Sequence, residues 1–271
     1  MGNQSRRTAV ALDCEMVSVK GGGSELAKLC VVDLFTAEVL INKLVDPTNR
    51  VIDWRTRYSG IKVGEMAQAV RKNQALRGWK AARLELWRYV DRDTILVGHA
   101  LHHDLQALHL IHLRVIDTSI VTRTAVSLTC RRSWSLKVLC AELANLVIQN
   151  HSSKGHDCLE DTLATREVLL RCVLYPQGLA SWAGVKLAEE QERAKEREVA
   201  KAQREAAKAQ RDKEAAVETA HSQQPQSRRQ SIAEMDSPEM NSLESEMLHW
   251  SDVAEDLGWP HPDTGYDPWS D

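Results

Sequence analysis

The chain has 271 residues, of which 43% are hydrophobic, 27% charged and 5% aromatic, and its formal net charge is -3. These proportions suit a soluble protein and exclude collagen-like, wholly disordered and membrane classes. No run of about 18 apolar residues is present to span a bilayer, and the amino terminus lacks the apolar stretch of a signal peptide, so a soluble intracellular protein without membrane association is expected.

In chain order, short apolar runs rich in Val and Leu predict strands over 8–14, 29–34 and 38–45, the last ended by Asp46-Pro47. Helical periodicity predicts helices over 79–90, 101–108, 135–143 and 159–174, with two further strands over 94–97 and 114–117. Three strands followed by helix, strand, helix, strand and two helices indicate an α/β fold with a mixed sheet. Apolar periodicity fades after Pro176-Gln-Gly178, so the folded domain is expected over 6–183. A charged helical extension is expected over 184–220, where Ala, Glu, Lys, Arg and Gln dominate without a Leu or Ile heptad. A disordered acidic tail is expected over 221–271.

Charge divides the same way: residues 1–180 hold 24 Lys and Arg against 18 Asp and Glu, whereas residues 181–271 hold 11 against 20. Residues 231–271 carry 11 acids and no Lys or Arg, with Trp250, Trp259, Tyr266 and Trp269 among them. That composition suits a segment that binds a protein partner, and equally a solvated terminus. The six scattered cysteines, with no C-x-x-C pair, read as buried free thiols.

The chemistry lies in three clusters. Asp13 and Glu15 flank Cys14 at the end of the first predicted strand, so the two carboxylates project from one face about 6–7 Å apart. Carboxylates so placed repel each other and lose hydration, and a divalent cation with a taste for hard oxygen ligands relieves both. Asp104 follows Gly98 where a strand runs into a helix, the end of an open α/β sheet at which ligands bind. His156 precedes Asp161 by five residues, setting an imidazole on a loop above a carboxylate in the first turn of the last helix. Taken singly, each has a bland alternative: an exposed strand end, a helix surface, a helix-dipole acid.

Together, D-x-E on the first strand, an Asp after the fourth and H-x-x-x-x-D at the last helix resemble the DEDDh (DnaQ-like) 3′–5′ exonucleases of the RNase H-like fold. Ala11-Leu-Asp-Cys-Glu-Met-Val17, Arg55-Thr-Arg-Tyr-Ser-Gly-Ile61, Leu96-Val-Gly-His-Ala-Leu-His-His-Asp-Leu105 and Ile116-Asp-Thr118 are similar to the RNA exonuclease 4 branch, over about residues 8–175. His103 stands where relatives commonly carry Asn.

The resemblance implies an RNase H-like mixed five-stranded sheet with strand 2 antiparallel, flanked by helices. It implies two Mg²⁺ ions, with Mn²⁺ able to substitute, held by Asp13, Glu15, Asp104 and Asp161, and His156 as general base, so that 5′-nucleoside monophosphates leave RNA 3′ ends. Met16 would pack on the terminal nucleotide; Arg55, Arg57 and Tyr58 would offer phosphate contacts and a stacking surface; Ile61, His99 and Leu101 would line the same cleft. Single-stranded RNA is the expected substrate, with single-stranded DNA also open, and a monomer is expected. The branch suggests ribosomal RNA processing in a nuclear setting, the cytoplasm being the other location. The alternatives are a 3′–5′ DNA exonuclease and a catalytically inactive RNA-binding adaptor.

Overall fold

The computed structural model describes residues 6–150 and 155–222. In chain order it contains β1 (Ala9–Val19), β2 (Ser24–Asp33), β3 (Val39–Asp46), β4 (Val51–Asp53), α1 (Thr56–Ser59), α2 (Val63–Arg71), β5 (Leu76–Arg77), α3 (Gly78–Leu86), β6 (Ile95–Gly98), α4 (His102–Ala107), β7 (Val115–Asp117), α5 (Thr118–Val126), α6 (Leu136–Leu139), a π-helical turn (Cys140–Ala144), α7 (Cys158–Leu174) and α8 (Pro176–Ser222).

The sheet runs β5-β3-β2-β1-β6-β7, with β4 pairing beside β1. β2 lies antiparallel between β1 and β3, and β6 and β7 continue parallel from β1. The expected α/β class and antiparallel second strand are therefore present. The sheet has seven strands where five were expected, because β4 and β5 hold three and two residues and are too short to express an alternating pattern. Helix α5 was also unexpected: Thr-Ser-Ile-Val-Thr-Arg-Thr is rich in β-branched residues that favour strands. Asp117 overrides that preference by capping the helix, accepting from Ser119 N–H at 2.9 Å and Ser119 Oγ at 2.7 Å.

The pleat of β1 sets the core. Val10, Leu12 and Cys14 pack on the side of α3 and α4, against Ala82, Leu86 and Leu101. Ala9 and Ala11 face Leu159, Leu163 and Leu169 of α7, small residues that let the helix approach the sheet. The next odd position, Asp13, therefore emerges under α7. A third cluster joins α6, the π-helical turn, α7 and the start of α8, where Trp182 meets Trp134 edge-on at 5.1 Å. Trp182 Nε1 donates to Glu142 Oε2 at 2.6 Å, and Lys186 Nζ reaches Glu142 Oε1 at 3.0 Å and Glu189 Oε1 at 3.1 Å.

The compact unit runs to Glu189, so the boundary expected at 183 falls inside α8. Residues 191–215 of that helix are exposed, with ion pairs such as Lys201–Glu205 at 3.9 Å. Residues 223–271, and with them the acidic aromatic tail, lie outside the described residues. Among the described residues no helix is long and apolar enough to cross a membrane. All six cysteines are free, and all but Cys130 are buried.

Asp117 also accepts from the backbone N–H of Ala100 at 3.0 Å and of Leu101 at 2.9 Å, fixing the entrance to α4. Asp117→Ala leaves these donors unsatisfied and removes a cap. A loss of about 1–3 kcal/mol is expected, read as a thermal midpoint several degrees lower.

Candidate active site

Three elements bring acids together. Asp13 and Glu15 stand on β1, Glu15 only 9% exposed, and the pairing with β2 slips just after Glu15. Helix α7 starts at Cys158 because Asp157 caps it, accepting from Leu159 N–H at 3.0 Å. That start places Asp161, 4% exposed, in the first turn, where an acid complements the helix dipole. Cys158 Sγ donates to the Asp13 carbonyl at 3.3 Å, tying the helix to the middle of β1, which runs on to Val19 rather than stopping at residue 14 as expected. Carboxylate oxygens of Asp13 and Glu15 and Cys158 Sγ lie within 4.8 Å of one another. Asp104, 4% exposed, comes from α4 on the other side of β1, and its carboxyl is hydrogen-bonded by the backbone N–H and thiol of Cys14.

These groups strain one another electrostatically. Burial pushes Asp13 up to about 7, and the neighbouring Asp161 charge pushes the same way. Glu15 is held well above the carboxylate range by burial and then by Asp13 and Asp161, with Lys28 opposing. Asp104 is raised by burial and by Asp13, against the Cys14 hydrogen bonds. Burial and like charge thus favour the protonated forms, and a multivalent cation reverses both effects. The oxygen-rich donor set fits a hard divalent ion.

His156 sits on the loop before α7, its Nδ1 3.4 Å from Asp161 Oδ2. The hydrogen bond to Asp161 raises its pKa above the ordinary imidazole value, with burial pulling the other way. Its backbone N–H donates to Tyr58 O at 2.7 Å, which fastens this loop to the 54–61 segment. Gly155 makes the contact possible: its φ is +77°, and a Cβ there would overlap Thr56 O and Gly60 N.

The residues expected to bind substrate divide. Met16 is partly buried against the core cluster beside β1. Arg55 adopts a left-handed conformation (φ 46°), its N–H bonded to Asp53 Oδ1 and its Nε to Ser18 Oγ, each at 2.8 Å. Arg57 and Tyr58 are exposed on the same turn. His99 Nδ1 lies 2.9 Å from Thr118 Oγ1. Ile61 and Leu101 are core residues instead, 2% and 1% exposed, packed against Val17 and Met66 and under β1 respectively, so neither offers a surface to a ligand. Apolar type made both look like cleft-liners in the sequence, and only burial separates the two roles. Two groups at the site carried no motif at all: Cys158, which reads as one more buried thiol, and Gln149, whose Nε2 lies 3.1 and 3.2 Å from the two Asp161 oxygens.

Gly155→Ala should lower the thermal midpoint and activity together, since backbone of both loops must move. The raised carboxyl groups give a signed pH effect. Between the ordinary Asp value near 4 and about 7, folded Asp13 holds a proton that the unfolded chain has released, so metal-free stability falls as pH rises through that window. Thermal melts in EDTA should show this fall, and added Mn²⁺ should stabilise more at pH 8 than at pH 5.

The chain is 37% identical over 181 residues to the putative RNA exonuclease pqe-1 of Caenorhabditis elegans, a match covering 66% of this chain and 10% of that protein. It is 39% identical over 160 residues to RNA exonuclease 4 of Candida glabrata (58% of this chain, 56% of that one) and 31% identical over 166 residues to RNA exonuclease 3 of Candida albicans (61% and 38%). The matches thus span between 10% and 56% of these relatives' lengths. Among solved structures, the fold is similar to the pseudoubiquitin hydrolase-RNA exonuclease module of Saccharomyces cerevisiae Pan2 in complex with AAGGA RNA, with TM-score 0.57 at 20% identity over 72% of this chain and 34% of that one. The Neurospora crassa Pan2 catalytic unit gives 0.54 at 23% identity over 68% and 29%. The family model described as Exonuclease matches residues 10–169, a span that contains every acid of the site and His156, and the chain belongs to that family.

Proposed function

We propose that the chain is a DEDDh-type 3′–5′ exoribonuclease that releases 5′-nucleoside monophosphates from single-stranded RNA with Mg²⁺, or Mn²⁺ in its place. The observation that carries this reading is that Glu15, Asp104 and Asp161 are buried on three separate elements around the half-buried Asp13, each within electrostatic reach of it, with His156 Nδ1 3.4 Å from Asp161. Exonuclease domains of this family use divalent metals. The relatives' names as RNA exonucleases support the substrate class.

Asp13, Glu15 and Asp161 would hold one ion, and Asp13 with Asp104 the other. Ions bound there would supply Lewis-acid stabilisation of the charge that develops on a terminal phosphodiester. With its Nδ1 proton directed at Asp161, His156 keeps the Nε2 lone pair for the attacking water. Water oxygen bonds to phosphorus, its proton passes to His156, and the bond to the 3′ oxygen of the preceding nucleotide breaks. Met16 presents an unbranched apolar side chain suited to any base face. Arg55, Arg57 and Tyr58 supply backbone contacts that carry no sequence preference. Single-stranded DNA would be a second substrate, and ribosomal RNA precursors in the nucleus the physiological one.

The test is a time course on 5′-end-labelled RNA and matched DNA. Stepwise shortening from the 3′ end, mononucleotide product and inhibition by EDTA are expected; internal cuts or full activity in EDTA would overturn the reading. His156→Ala should lower kcat by about 10²–10⁴-fold. Asp13→Asn should abolish activity yet raise the metal-free thermal midpoint at pH 8, because it removes a buried charge from among like charges.

A further inference from the structure

Gln149 lies outside every motif in the chain, yet it is pinned at three points. Ile148 before it is buried in the cluster of α6 and α7. Its own backbone is in the left-handed region, φ 55°, which a side-chain-bearing residue adopts only under constraint. The constraint is visible: Gln149 N–H donates to Glu160 Oε2 at 2.9 Å, and Gln149 O accepts from Lys137 Nζ at 3.3 Å. The result aims the amide at the catalytic groups, with Nε2 at 3.1 and 3.2 Å from Asp161 Oδ1 and Oδ2 and 3.4 Å from His156 Nδ1.

We propose that Gln149 is a positioning residue: its amide NH₂ fixes the Asp161 carboxylate, and through it the His156 ring, in the orientation that receives a divalent cation and the attacking water. The inference rests on the exonuclease reading and adds to it a residue outside the five expected catalytic positions. The chemistry of the amide suits the task. A carboxylate has about four lone-pair sites, and one NH₂ group occupies only part of them, leaving others for a metal ion. A neutral donor orients the carboxylate without cancelling its charge, which a Lys or Arg at the same place would do. His156 Nδ1 faces the same carboxylate, so Asp161 is steadied from two sides. Partners of metal ligands that act in this way typically contribute about 10–100-fold in metal affinity or activity.

Gln149→Leu keeps the bulk of the side chain and removes both donors; Gln149→Ala removes it altogether. Each full-length variant is to be compared with wild type for kcat and KM on single-stranded RNA, for Mn²⁺ affinity by calorimetry, and for thermal midpoint. The expected result is kcat lower by about tenfold or more and weaker Mn²⁺ binding, with KM for RNA within about twofold and the metal-free midpoint within a few degrees. Unchanged kcat and Mn²⁺ affinity in both variants would overturn the proposal, as would losses that merely follow a collapse of the midpoint. If wild type releases no nucleotide from RNA, the functional reading fails, whereas the Mn²⁺ affinities of wild type and Gln149→Leu still decide the role of the amide.

Discussion

Withdrawing four carboxyl groups from water, wholly or in part, around the middle of one strand is the constraint to which the rest of the structure answers. A charge withdrawn from water is tolerated only with compensation. Here the compensation within the protein is partial: Cys14 hydrogen bonds at Asp104, Lys28 near Glu15, His156 and Gln149 at Asp161. The folded chain therefore holds a site whose electrostatic complement is cationic, and the favourable packing lies elsewhere, in clusters on both faces of β1.

β1 is the organiser because it stands where the sheet changes from antiparallel to parallel pairing. Its even positions carry the layer that holds α4 and Asp104, and its odd positions carry the layer that holds α7 and Asp161. Three of the non-glycine residues with positive φ lie on segments that carry or adjoin site residues: Arg55 in the turn ahead of α1, Ala100 at the entrance to α4, Gln149 ahead of α7. Each is held by a hydrogen bond from its own backbone N–H to a neighbouring carboxylate, Asp53, Asp117 and Glu160 respectively. Strain held in place this way is a common mark of sites where geometry matters more than local stability.

The principal strands and the long helix α7 were legible in the sequence because Val-rich runs and a sustained 3.6-residue period announce them. The D-x-E pair and the His156–Asp161 spacing were legible for a different reason: alternation on a strand and the first turn of a capped helix fix side-chain direction from sequence separation alone. The features that stayed hidden depended on contacts between distant segments. β4 and β5 exist by pairing with β1 and β3, not by pattern. The fates of Ile61 and Leu101 turn on burial, and Gln149 is placed by Glu160 and Lys137 rather than by any local preference.

The anchoring of α8 bears on where the nuclease ends. Trp182, Lys186 and Glu189 close the cluster over the π-helical turn, and Glu142 is shared between the indole and the ammonium. A shortened protein cut at residue 183 would leave Glu142 without its lysine, whereas one ending after Glu189 keeps the whole clasp. The first turns of the long charged helix thus belong to the folded unit that carries the site, and residues 191–215 beyond them are exposed.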